Sequence, residues 1–325
     1  MSRLVFVRFG GIRASGAALA LSALAALSAC SGSGLLFGRD RGPEIGSAPV
    51  TGEILGAGPV KVALLLPLSA MLFFSFLTQA PFGGRQAELT LGQYGAFLDK
   101  AFYRTLAWRS LELGFYVTLG CVAVGYPAAL ALAKHVKGRW REALFLLIVL
   151  PFWSNALVRT FSWTMVLRGD GLVDRMVQAV FPGAPSFGLL FTYPAIVVGL
   201  VHSFVPYMIL TCYISLQAID DSLIEAARSL GASAWAVFRR VVLPLSLPGL
   251  SAGVVLIFVP AIGSFMEPRI LGGPAGIMLG TVIEDQFTVV FNWPLGAALS
   301  FILLAIVLAI LALAYPLLRR NLQVA

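Results

Sequence analysis

Six runs of mainly apolar residues, each long enough to cross a lipid bilayer, constrain this chain more than any other feature. They cover roughly 60–78, 110–133, 143–167, 189–216, 245–265 and 295–318. A spanning helix needs about 20 such residues, and the hydrocarbon offers no water to satisfy an exposed backbone. The expectation is therefore an all-α polytopic membrane protein with six transmembrane helices. Composition agrees, since 59% of the 325 residues are apolar and only 12% are charged. That is about half the charged share of soluble domains, and mean hydropathy is +0.90. A disordered chain, a collagen-like chain and an ordinary cytosolic enzyme are excluded. Prolines 67, 127, 151, 206 and 260 fall inside the runs. Membrane helices tolerate them because neighbouring helices re-satisfy the freed backbone groups, although some kink. Pro151 interrupts the third run.

The formal charge is +8. In a soluble protein that would point to nucleic acid. Here the basic residues sit in short gaps between apolar runs, as the positive-inside rule describes, and no nucleic-acid partner is expected. Lys134, Lys137, Arg139 and Arg141 follow the second run, Arg228, Arg239 and Arg240 the fourth, and Arg319 and Arg320 the sixth. The gap after the third run balances Arg168 and Arg175 with Asp170 and Asp174. The gap after the fifth sets Arg269 against Glu267, Glu284 and Asp285. The connections after runs two, four and six are thus expected in the cytoplasm, with both termini of the six-helix body. The connection before run two dissents mildly, with Arg85, Lys100, Arg104 and Arg109, but it also carries Glu88, Asp99 and Glu112. Cys30, Cys121 and Cys212 are too dispersed for a disulfide framework, and with only His135 and His202 no metal spacing exists.

Residues 1–59 stand apart. A basic start, an apolar stretch and the box Leu27-Ser28-Ala29-Cys30 resemble a lipoprotein signal peptide. The alternative is an upstream extension from a misassigned start codon. A cleaved signal would invert every later connection against the charge pattern, which favours the extension. Residues 31–59, rich in Gly, Ser and Pro, read as a linker. The expected division is an N-terminal extension over 1–59 and a six-helix membrane domain over 60–320.

The connection between runs four and five is longer than a simple link needs. Over 219–244, Ile219, Leu223, Ala226, Ala227 and Leu230 recur at helical spacing. Asp220, Asp221 and Ser222 supply caps and negative charge for a helix start. Gly231 permits a turn that a Cβ would resist. A second short helix near 233–240 is expected to end at Leu243-Pro244, with the proline in the first turn of the next span.

Glu225-Ala226-Ala227, Gly231, and the terminal Val241-Val242-Leu243-Pro244 together resemble the EAA loop of permease subunits in binding-protein-dependent ABC importers. The likeness extends over roughly 60–320 and is greatest to the spermidine/putrescine permease branch, first-subunit type. It is carried by Gly125-Tyr126-Pro127-Ala128, Leu150-Pro151-Phe152-Trp153, Leu157-Val158-Arg159-Thr160-Phe161-Ser162-Trp163, Pro206-Tyr207-Met208, Phe265-Met266-Glu267-Pro268, Leu271-Gly272-Gly273 and Asn292-Trp293-Pro294-Leu295-Gly296. The resemblance implies a type I importer permease fold in the bacterial inner membrane. It implies an ATPase dimer, a second permease subunit of paralogous sequence and a periplasmic solute-binding protein as partners. Glu225, Ala226, Ala227, Gly231, Leu243 and Pro244 would couple to the ATPase. No Walker motif is present, so ATP and Mg belong to that partner and this chain carries no cofactor of its own. No nucleophile–base constellation is present either, and the chain is expected not to be an enzyme.

A cationic solute favours acidic and aromatic lining. Glu267, with Trp163, Tyr207 and Phe265, is the candidate outer mouth of a solute path; an ion pair between Glu267 and Arg269 is the competing reading. Arg159 lies within the third run or its break. It either forms a gate ion pair or anion contact, or snorkels to the surface. His202 and Cys212 read as packing groups. A self-sufficient secondary transporter or channel is the alternative to a permease subunit, but no acidic relay marks the spans.

Overall fold

The computed structural model describes residues 57–79, 88–183, 185–186 and 188–322. The signal-like segment, Cys30 and most of the linker lie outside the described residues. Within the described residues the chain is helical, apart from one isolated antiparallel bridge between Leu77 and Leu89.

Four helices among the described residues are long and apolar enough to cross a membrane: Ala101–His135, Tyr193–Gln217, Ala234–Gly263 and Trp293–Pro316. They coincide with runs two, four, five and six. In the labels used below, α3 is Ala101–Leu130, α7 is Tyr193–Gln217, α10 is Leu243–Gly263 and α13 is Trp293–Leu322. The first run forms α1, Ala57–Ser75, and α2, Gly92–Asp99, follows it.

The third run departs from expectation and is not one span. Helix α4 covers Arg139–Val149, a single 3-10 turn covers Leu150–Trp153, and α5 starts afresh at Ala156–Leu167. Pro151 cannot donate an N–H and disfavours helix in its predecessor. The restart is capped by Asn155, whose side chain accepts a hydrogen bond from the Leu157 N–H at 2.8 Å. Short helices that the apolar pattern did not signal fill the remaining connections: α6, Leu172–Val180; α11, Met266–Gly272; and α12, Leu279–Thr288.

Helices α3, α7 and α10 pack into the main core. Leu113, Val117 and Cys121 of α3 meet Ile196, Leu200, Met208 and Leu216 of α7 and Ile257 and Ala261 of α10. In a bilayer the hydrophobic effect does not favour helix association, because lipid tails are as apolar as leucine. Close approach and polar contacts take over that role. On α10, Gly249 and Gly253 face α7 with no room for a side chain. A Cβ on Gly253 would lie 2.6 Å from Thr211 Oγ1 and 2.8 Å from Met208 Sδ; one on Gly249 would lie 2.5 Å from the Thr211 carbonyl oxygen. The Gly249 N–H donates to Ser215 Oγ at 3.3 Å, and the Tyr126 and Ser246 hydroxyls share a buried hydrogen bond of 2.8 Å. A second cluster of Tyr103, Leu106, Leu279, Leu295 and Leu299 joins α3, α12 and α13. Outward faces carry exposed Phe115, Leu119, Leu146, Leu147 and Leu313, as helices surrounded by lipid would.

Candidate coupling loop and solute path

The connection between α7 and α10 folds as two short helices, α8 (Asp221–Ser229) and α9 (Ala234–Val237). Asp220 caps α8, its carboxylate accepting from the Ser222 N–H at 2.9 Å. That hydrogen bond holds the Asp220 carboxyl below the usual carboxylate range. The neighbouring Asp221 is held low by the ammonium of Lys134, which lies 2.7 Å away. The Lys134 ammonium also donates to the Ile219 carbonyl at 2.7 Å.

Helix α8 ends in a left-handed cap. The Ala232 N–H reaches back to the Ala227 carbonyl at 3.1 Å and the Gly231 N–H to the Arg228 carbonyl at 2.9 Å, a Schellman-type closure. Gly231 has φ +82°, and the space beside it is open. The backbone angle, not crowding, therefore requires glycine there. Ser233 then caps α9 by accepting from the Ala236 N–H at 3.3 Å.

The expected stop at Leu243-Pro244 does not occur. After α9 the helix continues through a wide π turn over Phe238–Val242 into α10. The Leu243 N–H bonds the Phe238 carbonyl, so the missing donor of Pro244 falls where the hydrogen-bond register changes. The loop is thereby continuous with a spanning helix.

Its two faces differ. Ile224, Ala227, Ala232 and Phe238 pack against the main core. Glu225 and Ala226 face away from it. With them are Leu230, 89% exposed, and Trp235, 67% exposed and stacked on Phe238. A surface of small and apolar residues, with Glu225 and Arg228 among them, is left open on a capped segment.

The opposite end of α10 leads into α11 and the second group of residues. Trp163 of α5 sets its ring against His202 of α7, with centroids 5.2 Å apart. Arg159 turns back onto the helix break, donating to the Pro151 carbonyl at 3.0 Å. It lies close enough for its charge to act on both His202 and the half-buried Glu267 of α11. The Arg159 Nε and His202 Nδ1 are buried without a hydrogen-bond partner. The competing pairing of Glu267 with Arg269 is not what forms: Arg269 binds Glu284 and, at 2.7 Å, Asp285 of α12.

The four path residues do not all converge. Trp163 and Glu267 share the corner of α5, α7 and α11. Phe265 lines a cavity of about 470 Å³ between α10, α12 and α13, whose polar lining is Glu284, Thr288 and Ser300. Tyr207 sits at the margin of the main core, with its ring 6.2 Å from that of Phe204. Sequence reasoning missed Lys134 as anything beyond a flanking charge. It also treated His202 as plain packing, whereas the ring shares its corner with two ionisable groups.

A family model described as "Binding-protein-dependent transport system inner membrane component" matches residues 125–323. The spermidine/putrescine transport system permease protein PotB of Haemophilus influenzae is 35% identical over 252 residues, 78% of this chain and 87% of that protein. PotB of Escherichia coli is 34% identical over 258 residues, 79% of this chain and 93% of that protein. A chain of the crystal structure of a bacterial ABC transporter importing the acidic polysaccharide alginate superposes with a TM-score of 0.65. It is 16% identical and covers 79% of this chain and 94% of that one, a likeness of fold alone. A capped, helical loop continuous with a packed spanning helix, a fold shared with an importer and identity along most of the chain lead to one assignment: the chain belongs to the family of inner membrane components of binding-protein-dependent transport systems.

Proposed function

We propose that this chain is a permease subunit of an ATP-binding-cassette importer, and that it passes a polyamine such as spermidine or putrescine across the bacterial inner membrane. The observation that carries the reading is the α8–α9 loop. It is rigidly capped, open on its Glu225–Ala226–Leu230–Trp235 face and continuous with α10. Such a surface suits insertion into a groove of a separate ATPase subunit, where small side chains allow close approach and Glu225 meets a basic or N–H donor. Identity to two PotB proteins supports the solute class.

In this mechanism a binding protein delivers the solute to the side holding α11 and α12. ATP draws two ATPase subunits together, the α8–α9 loops move with them, and the rotation reaches the spans. Hydrolysis resets the arrangement, so nucleotide shifts a two-state equilibrium. A second permease subunit completes the passage. The chain itself hydrolyses nothing. Glu267 and Trp163 form part of the mouth, where a carboxylate and an aromatic face attract an ammonium group.

Affinity purification of the tagged chain, expressed with its genomic neighbours in mild detergent, tests the assembly. Recovery of an ATPase and a second multi-span chain is expected. A folded homo-oligomer alone would instead favour a self-sufficient transporter. Proteoliposomes of the complex should take up labelled spermidine or putrescine only with ATP and binding protein. In the same assay Glu267→Gln should raise the half-saturation concentration several-fold; an unchanged value would remove Glu267 from the path.

A further inference from the structure

We propose that Lys134 is a positioning residue that ties the start of α8 to the end of α3, so that movement of the α8–α9 loop is transmitted into all three central spans together. The inference rests on the importer reading above. Two of those spans are joined to the loop through the chain itself. Helix α7 ends at Gln217, just before α8, and α9 runs on into α10. Helix α3 is far away in sequence, with Lys134 and Asp221 separated by 87 positions. Its ammonium is what reaches across.

The geometry is that of a latch, not of a surface charge pair. The Lys134 side chain is 13% exposed, whereas that of Asp221 is 76% exposed. An exposed ion pair alone contributes little to stability. Here the ammonium holds two acceptors at once, the Asp221 carboxylate and the Ile219 carbonyl, both at 2.7 Å. Ile219 lies in the short link between α7 and α8 and Asp221 is the first residue of α8, so the bond fixes the direction in which α8 leaves the bundle. Lys137 and Arg141 add positive charge around Asp221.

Lys134 also sits in an unusual stretch of helix. Ala131–His135 is a wide π turn, closed by the Val136 N–H on the Ala131 carbonyl at 3.1 Å. A second π turn, Phe238–Val242, lies where the loop joins α10. Single turns of this kind recur at functional sites. The helix that carries Lys134 and the helix that follows the loop are therefore both irregular at the point where they meet it.

The test uses the complete importer in proteoliposomes, with ATP hydrolysis and polyamine uptake measured together. Lys134→Met should hydrolyse ATP in response to loaded binding protein while solute moved per ATP falls at least fivefold. Lys134→Arg, which still reaches both acceptors, should restore most of the ratio. Spin labels at His135 and Ser229 give a readout independent of the solute: a narrow distance distribution in the parent that broadens in Lys134→Met and narrows again in Lys134→Arg. An unchanged transport ratio and an unchanged distribution in Lys134→Met would overturn the proposal. If Lys134→Met fails to assemble, Lys134→Arg decides: a broad distribution or a lost ratio in the arginine variant overturns it. A parent complex with a narrow distribution but no ATP-driven uptake would reject the importer reading and leave the latch standing.

Discussion

Gly231 shows how much a single residue can decide. Its φ of +82° lies where a side-chain-bearing residue costs about 1–2 kcal/mol, and a β-branched one is a genuine outlier. The turn it makes sets the angle between α8 and α9. Gly231→Val should therefore insert into the membrane at parental level while uptake falls by an order of magnitude. Quantitative membrane blotting beside labelled-solute uptake checks both halves, and parental uptake would contradict the coupling role. The cap at Asp220 and the need for glycine at 231 were legible from residue type, because each depends on backbone groups within a few positions. Lys134 was not. Its partners lie in a different connection, and nothing local distinguishes it from Lys137 beside it. Arg269 teaches the same lesson in reverse: the near acid in sequence, Glu267, is passed over for Glu284 and Asp285.

At the scale of elements, four of the six apolar runs became helices long and apolar enough to cross a membrane among the described residues, and the third, interrupted at Pro151, became two shorter helices. A continuous run of apolar residues satisfies a hydropathy window whether or not its backbone stays helical. Pro151 and Asn155 break the run into α4 and α5, and the break lets Arg159 occupy the freed Pro151 carbonyl. The helix through α9 and α10 failed in the other direction, running on where a proline pointed to a stop. A π turn can absorb a missing donor, and its occurrence depends on packing. The Gly249–Gly253 spacing was a readable signal for close helix contact that the apolar count overlooked. Gly253→Val drives a side chain into Thr211 and Met208, and overpacking of this kind costs about 1–3 kcal/mol. A lower thermal midpoint in detergent, with unchanged helical content, is the expected result.

For the whole molecule, orientation follows from charge. The connections after α3 and between α7 and α10 carry the arginines and lysines, and we predict that both face the cytoplasm together with the C-terminal end of α13. Cysteine accessibility in intact spheroplasts checks this. Labels at Ser229 should react only after permeabilisation, and labels at Val290, beyond α12, should react before it. The opposite pattern would reverse the proposed direction of transport.

The sequence by itself determined that the chain lies in a membrane, roughly where its helices fall, and that one connection carries a capped, glycine-turned helical element. Those are local properties: an apolar run must find an apolar surrounding, and a cap or a left-handed turn is settled within a few residues. Only the tertiary structure decided which charges meet, where the broken run starts again and which helices pack together. Electrostatic and packing energies depend on separations across the bundle. Residues as distant as Lys134 and Asp221, or Arg159 and Glu267, have no defined separation until the helices cross.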